Sequence, residues 1–224
     1  MKIGIIVAMG KELALLEPLI ENRRQVALNG FTFTLGEIGS REVVAMQCGI
    51  GKVNAAIGAL TMIENFHPSV IINSGVAGGT GHGASRGDVI LASEIAYHDC
   101  WCGPGTEPGQ AAGCPARFAC PLDAEKIAAE LGANAGLLAS GDIFVSRPED
   151  IQRILSMYPE AVAVDMESAA IAQVCFLKSV PMVCLRIVSD TPGAHEDNAS
   201  QYENFWENAP ARTFDAVRRL ISII

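Results

Sequence analysis

Hydrophobic positions fall along this chain in two alternating rhythms. Short, near-continuous β-branched runs occur at Lys2–Ala8, Phe31–Ile38, Val43–Cys48, Val70–Ser74, Asp88–Ala92, Leu137–Val145, Ala161–Val164 and Pro181–Val188, and each predicts a strand. Between or after them lie stretches with helical spacing: Lys11–Glu21, Val53–Phe66, Asp123–Leu131, Pro148–Met157, Met166–Leu177 and Phe205–Ile223. In the second of these, Val53, Ile57, Leu60 and Ile63 recur at helical steps and predict a buried face. Strands apolar throughout, alternating with helices, predict an α/β protein. The expected form is a single domain over residues 1–224, three α/β/α layers around a mixed, mainly parallel twisted sheet. Phe31–Cys48 departs from that scheme: two alternating strands around Gly39-Ser40 predict an antiparallel hairpin. The segment Tyr97–Cys120, dense in Gly, Pro and Cys, predicts a long irregular loop of the kind that is usually functional or interfacial.

Composition narrows the picture. Of 224 residues, 50% are hydrophobic and only 18% charged, which excludes a disordered chain. A chain this long buries roughly 70% of its unfolded surface and needs no metal or disulfide staple to fold. Aromatics make up 6%, so Ala, Val, Ile and Leu must build the core. Sixteen basic against 25 acidic residues give a net charge of −9, leaving no basic face for a nucleic-acid polymer. A small molecule is the expected ligand. The apolar run Ile3–Met9 is too short for a signal peptide and meets Lys11-Glu12. No stretch of about 18 uncharged apolar residues predicts a membrane span. Cys48, Cys175 and Cys184 lie in apolar segments where reduced thiols pack as small hydrophobes, which suits a cytoplasmic protein.

Three familiar patterns fail on context. Gly79-Thr80-Gly81-His82-Gly83-Ala84 has the letters of a dinucleotide fingerprint, but Arg86-Gly87-Asp88 leads into a strand where a phosphate-binding helix is required. Gly49-Ile50-Gly51-Lys52 resembles the end of a phosphate loop, yet Val53 replaces the required Ser or Thr. His98, Cys100, Cys102, Cys114 and Cys120 could ligate zinc but lack paired CxxC spacing, so they read as reduced, loop-packing residues. No metal and no cofactor is expected.

Ligands of open α/β sheets bind beyond the carboxyl ends of the strands. Reading off the polar residues there gives Glu12 after the first strand, Gly49 to Lys52 after the hairpin, and Ser74 to Gly79 with glycines that let backbone approach a ligand. It also gives Gly141 to Phe144, Asp165-Met166-Glu167, and Arg186 to Asp190. Each acid has an ordinary reading alone: Glu12 and Glu167 suit the first turn of a helix, and Asp190 suits a turn before Thr191-Pro192-Gly193. Together, Glu12, Glu167 and Asp190 on one rim predict a pocket for a polar, hydroxyl-bearing small molecule.

Several of these motifs, in order and at compatible spacing, resemble the 5′-methylthioadenosine/S-adenosylhomocysteine nucleosidases of the nucleoside phosphorylase/hydrolase superfamily. They are Met9 and Glu12, Gly49-Ile50-Gly51-Lys52-Val53, Gly75 to Gly79, Tyr97-His98-Asp99, Gly113-Cys114-Pro115, Val164-Asp165-Met166-Glu167 and Ser189-Asp190. The resemblance runs from residue 1 to about 215 and implies hydrolysis of an N-glycosidic bond through an oxocarbenium-like state. It implies that Asp190 protonates the departing adenine at N7, which asks for a carboxyl pKa above about 3.9. Glu12, assisted by Arg186, would activate the water. Glu167 would hold the ribose hydroxyls, with Met166 on the sugar. Phe144 would stack on the purine, and the Val145 backbone would read its edge. Met9, Ile50, Val76, Ala77, Gly78, Asp165 and Ser189 would complete the binding site, and Tyr202 would flank the 5′ substituent.

The resemblance further implies a homodimer, in which a partner's loop near Trp101 closes the pocket. Two departures stand out: Val76 replaces the family's usual Ser beside the water, and the loop Cys100-Trp101-Cys102-Gly103-Pro104-Gly105 is short and lacks the usual aromatic pattern. The alternatives are a related nucleosidase for futalosine or aminofutalosine, a purine nucleoside phosphorylase, or a silent nucleoside binder. Phosphorolysis ranks lower because Glu12 would repel phosphate, and the intact acid set argues against a silent binder.

Overall fold

The computed structural model describes residues 1–192, 198–208 and 210–224. Its strands are β1 (Lys2–Val7), β2 (Glu21–Leu28), β3 (Phe31–Ile38), β4 (Arg41–Gln47), β5 (Val70–Gly79), β6 (Val89–Tyr97), β7 (Phe118–Ala119), β8 (Asn134–Ser140), β9 (Ala161–Asp165) and β10 (Met182–Asp190). The helices are α1 (Gly10–Leu16), α2 (Lys52–Phe66), α3 (Ala124–Leu131), α4 (Pro148–Met157), α5 (Ser168–Lys178), α6 (Asn198–Asn208) and α7 (Pro210–Ile223). The sheet runs β10-β6-β8-β9-β5-β1-β4-β3-β2 with β7 beside β6, and β10 also pairs with β5, so this end of the sheet curls back on itself. Parallel pairing joins β4 to β1, β1 to β5 and β5 to β10, and likewise β6 to β8 and β8 to β9. The carboxyl ends of β1, β5 and β10 therefore lie together.

Helices cover both faces, as the doubly apolar strands require. On one face α1, α3 and α7 bury Leu16, Ile127, Val217 and Leu220 against Ile3, Ile5, Ile72 and Leu185. On the other, α2 and α5 bury Ala59, Met62, Ile171 and Cys175 against Ile6, Val44, Met46 and Ile71. Helix α4 packs Ile151 and Ile154 on Leu137 and Ala139. Among the described residues no helix is long and apolar enough to cross a membrane. All seven cysteines are free thiols.

Several boundaries differ from the sequence expectation, each for an identifiable reason. The first helix stops at Leu16, because Pro18 forces a short 3₁₀ turn over Glu17–Leu19. The chain then forms β2, whose residues are mostly exposed and polar; an edge strand carries no apolar alternation to betray it. Asn29 and Gly30, both at positive φ, close the β2–β3 hairpin, while Gly39-Ser40 closes the expected β3–β4 hairpin. Strand β8 begins at Asn134 and ends at Ser140, so Gly141 to Val145 is loop. The closing helical stretch is two helices, the second starting at Pro210, a residue suited to a first helical turn.

Helix α2 corrects the expected face. Val53 and Ile57 are 69% and 49% exposed. The buried face is instead Ala55, Gly58, Ala59, Met62 and Ile63. Small residues let the helix sit close to β4: a Cβ on Gly58 would come within 2.8 Å of Cys48 Cβ. The larger residues Val53 and Ile57 turn outward.

Candidate active site

A cavity opens where β1, β5, β9 and β10 end, enclosing about 620 Å³ including its mouth. That is ample for a nucleoside with a 5′ substituent. The structure brings nearly every predicted site residue here. Met9 and Glu12 come from the β1–α1 turn, Ile50 from the loop before α2, and Val76, Ala77 and Gly78 from β5. Phe144 and Val145 come from the loop after β8, Asp165, Met166 and Glu167 from the β9–α5 junction, Ser189 and Asp190 from β10, and Tyr202 from α6.

Glu12 is held by three backbone amides. Its Oε2 accepts from the Ala8 and Met9 amides at 2.9 Å each, and its Oε1 accepts from the Val76 amide at 3.0 Å. The first two bonds arise because Met9 caps α1 and Glu12 stands three residues on, reaching back to the cap. The third requires β5 to pass very close, and Gly75 allows it: a Cβ there would overlap Glu12 Oε1. Glu12 is 2% exposed. Burial raises its pKa above the ordinary carboxyl value, against the lowering pull of the amides and Arg186.

Glu167 is anchored differently. It sits at the start of α5, and its Oε1 accepts the Gly51 amide at 2.7 Å, a contact across 116 positions. Burial, reinforced by the negative charge of Asp165, pushes its pKa up to about 7. At the end of β10, also lining the cavity, the Ser189 hydroxyl donates to Asp190 Oδ1. The edge of the Phe144 ring meets Tyr202 at 6.1 Å between centroids, and the Tyr202 hydroxyl donates to Met9 Sδ at 3.0 Å.

Arg186 and Asp165 behave otherwise than the other predicted residues. Arg186 lies behind the cavity wall, fully committed: its Nε and Nη2 donate to Asp165 Oδ2 at 3.0 and 2.6 Å, and its Nη1 donates to the Asn73 carbonyl at 3.2 Å. Nη2 also donates to the Asn73 side-chain oxygen. Asp165 lines the cavity, yet its carboxylate is spent on Arg186 and on the Ser168 hydroxyl, which donates at 2.8 Å. The arrangement is a buried ion pair beneath the acids. Trp101 is 63% exposed and does not line this chain's own cavity.

Ala8, Ile143 and Val164 also line the cavity, and Asn73 buttresses Arg186; the strand-end segments contain the first three, but none of the four is among the expected site residues. The strand-end rule covers Ala8 and Val164, and a buried Asn inside Val70–Ser74 is itself a signal, since such a group must find a partner. Ile143 lies within the strand-end segment Gly141 to Phe144, but an apolar residue there carries no signal of its own.

A mixed, doubly covered sheet with three buried acids at its strand ends defines a class, and the comparison with known families agrees. The model of the Phosphorylase superfamily matches residues 2–222, and the chain belongs to that family. Within it, the chain is similar to the 5′-methylthioadenosine/S-adenosylhomocysteine nucleosidase of Neisseria meningitidis, crystallised with methylthio-immucillin-A. The two are 33% identical, with 100% of this chain and 99% of that one covered and a TM-score of 0.92. The corresponding nucleosidase of Colwellia psychrerythraea, in complex with adenine, is 33% identical over 99% of this chain and 95% of that one, with a TM-score of 0.93. The futalosine hydrolase of Helicobacter pylori is 25% identical over 100% of this chain and 98% of that one, with a TM-score of 0.90.

Proposed function

We infer that this chain hydrolyses the N-glycosidic bond of adenine nucleosides such as 5′-methylthioadenosine and S-adenosylhomocysteine, releasing adenine and the thioribose. The observation that carries the reading is Glu12: a buried carboxyl, held by three amides, facing the cavity that Glu167 and Asp190 also face. Nucleosidases similar over the full chain length support the substrate class.

The chemistry follows from charge. As the bond breaks, positive charge grows on the ribose and negative charge on the purine. Asp190, carrying a proton, gives it to adenine N7. Glu12, whose basicity burial raises, orients a water and takes its proton. Glu167 grips the ribose hydroxyls, Met166 packs on the sugar, and Phe144 stacks on the purine with the Val145 backbone at its edge. Arg186 serves from behind, its charge favouring the ionised form of Glu12. Among the described residues lining the cavity none is Lys or Arg, so no cationic phosphate pocket competes with water.

The whole chain acts as one domain and as a homodimer. Ile50, Val53 and Ile57 form an outward apolar stripe at 53%, 69% and 49% exposure, and Trp101 stands clear at 63%. A partner covers that stripe and receives the Trp101 loop against the 5′ group beside Tyr202. Seven free thiols suit a reducing cytoplasm.

The test is release of the free base from methylthioadenosine, S-adenosylhomocysteine and futalosine (adenine from the first two, hypoxanthine from the third), with and without phosphate. Release of adenine from the first two without phosphate is expected; strict phosphate dependence, or turnover of futalosine alone, overturns the reading. Light scattering should give about twice 23.6 kDa, and a fully active monomer overturns the shared loop.

A further inference from the structure

The loop before α2 matched no working phosphate motif, yet it is tied down at both ends. Gly51, at φ +93°, gives its amide to Glu167. The next amide, of Lys52, donates to Asp142 Oδ1 at 2.7 Å. The Lys52 ammonium donates to Asp99 Oδ2 at 2.8 Å, and the Asp142 amide donates to that same oxygen at 2.8 Å. Asp99 therefore joins three strand ends, those of β4 through Lys52, β6 through its own backbone and β8 through Asp142. The carboxyls are fitted closely here: a Cβ on Gly51 would stand 3.0 Å from Asp142 Oδ1, and one on Gly141 would stand 2.7 Å from Asp99 Cγ. The Lys52–Asp99 pair is largely shielded, with side chains 27% and 15% exposed. None of Lys52, Asp99 and Asp142 lines the cavity.

We propose that Asp99 is a positioning residue for the nucleoside site: through Lys52 and Asp142 it holds the Gly51 amide on Glu167, and so fixes the carboxylate that receives the ribose. This rests on the reading that Glu167 binds the ribose hydroxyls. The connection is a chain of charge-assisted bonds, short and directional, and each link fixes the next. Burial pushes the Asp99 carboxyl up, but the Lys52 hydrogen bond and charge and the Asp142 amide outweigh it, so Asp99 stays below the usual range and ionised at neutral pH. Without it, Lys52 loses its counter-charge and Asp142 its backbone anchor. The Gly51 amide is then no longer aimed, and Glu167 loses the hydrogen-bond donor it has among the described residues.

A clamp that merely stabilised the fold would act on every step alike. A positioning role acts through Glu167 and shows itself in a double-mutant cycle. With methylthioadenosine as substrate, Asp99→Ala should raise KM about tenfold, the worth of one hydrogen bond to a charged group, with kcat changed less than about threefold. Glu167→Gln should raise KM at least as much. The combined Asp99→Ala/Glu167→Gln enzyme should match Glu167→Gln alone within about twofold. Lys52→Met, at a more exposed position, should copy Asp99→Ala, and Lys52→Arg should restore most of the lost affinity. Additive effects of Asp99→Ala and Glu167→Gln, or an unchanged KM in both Asp99→Ala and Lys52→Met, overturn the clamp. An unchanged KM in Glu167→Gln instead removes the ribose role on which the clamp depends.

Discussion

The two glutamates facing this cavity are buried to similar degrees, and burial raises both, yet they are built in different ways. Glu12 makes its hydrogen bonds almost at home: two of its three amide donors lie within four residues, and the third is on the adjacent strand β5. Glu167 depends on one amide from 116 positions away and on a polar clamp beyond it. Each amide bond to a carboxylate recovers part of what desolvation costs. Three such bonds fix Glu12 in one orientation. Glu167, with one bond and Asp165 as a negative neighbour, sits near neutrality at about 7. A locally built acid suits a fixed chemical task, and a globally built one suits a task that responds to what binds.

The largest expected effect breaks the local side. Gln at position 12 cannot accept from all three amides, since its NH₂ group would face at least one of them. Glu12→Gln should lower turnover of methylthioadenosine about 10²–10⁴-fold, with a thermal melt close to that of the parent. Asp190→Asn should fall by a similar factor. Near-normal activity in either variant removes the role proposed for that residue.

Next in size is the ion pair beneath both acids. Arg186 and Asp165 have side chains only 3% and 2% exposed and satisfy each other. Arg186→Met leaves the Asp165 carboxylate buried without its cation, and should cost about 3–5 kcal/mol in urea unfolding. A loss below about 1 kcal/mol would mean that Asp165 finds water or a proton readily, and that the floor shared by Glu12 and Glu167 is softer than this geometry implies.

The same contrast explains what the sequence made legible. Strand ends, the glycine-rich wall and the acids of the rim were readable because β-branched runs mark the strands and an α/β sheet directs its ligands to their ends. Glu12 was legible because it follows directly on the first strand, although its contact with the Met9 amide shows only in the structure. The pairing of Arg186 with Asp165 was hidden, since nothing local says which acid a buried arginine will meet. Strand β2 was hidden because Glu21-Asn22-Arg23-Arg24-Gln25 looks like surface, which on an edge strand it is. The face of α2 misled for the reverse reason. Its small residues face the sheet, and the larger Val53 and Ile57 point outward.

A smaller effect probes the Glu167 side by pH. A carboxyl at about 7 in the fold and 4.5 in the unfolded chain binds more protons when folded throughout that window. Stability of the ligand-free protein therefore falls as pH rises from about 4.5 to 7; the contribution is complete below the window and lost above it. Glu167→Gln should flatten this slope and leave the variant more stable than the parent at pH 8, by on the order of 1 kcal/mol or more. Glu12, also raised, gives a slope of the same sign that persists in the variant. If urea unfolding at pH 5 and pH 8 shows the parent gaining stability with pH relative to Glu167→Gln, Glu167 is ionised more easily than its surroundings suggest.

The smallest effect returns to the Glu12 side. Val76 stands beside the acid, but its bond to Glu12 is made by the backbone amide, at 3.0 Å, and any residue except proline supplies that donor. Val76→Ser adds a hydroxyl at the cavity wall without altering the amide. It can offer one more hydrogen bond to the water or sugar, worth about 0.5–1.5 kcal/mol, and it gives up some apolar contact. The two nearly balance, so kcat/KM for methylthioadenosine should move less than about tenfold in either direction. A change of 100-fold or more would show that the side chain at 76, and not the amide behind it, governs how Glu12 meets water.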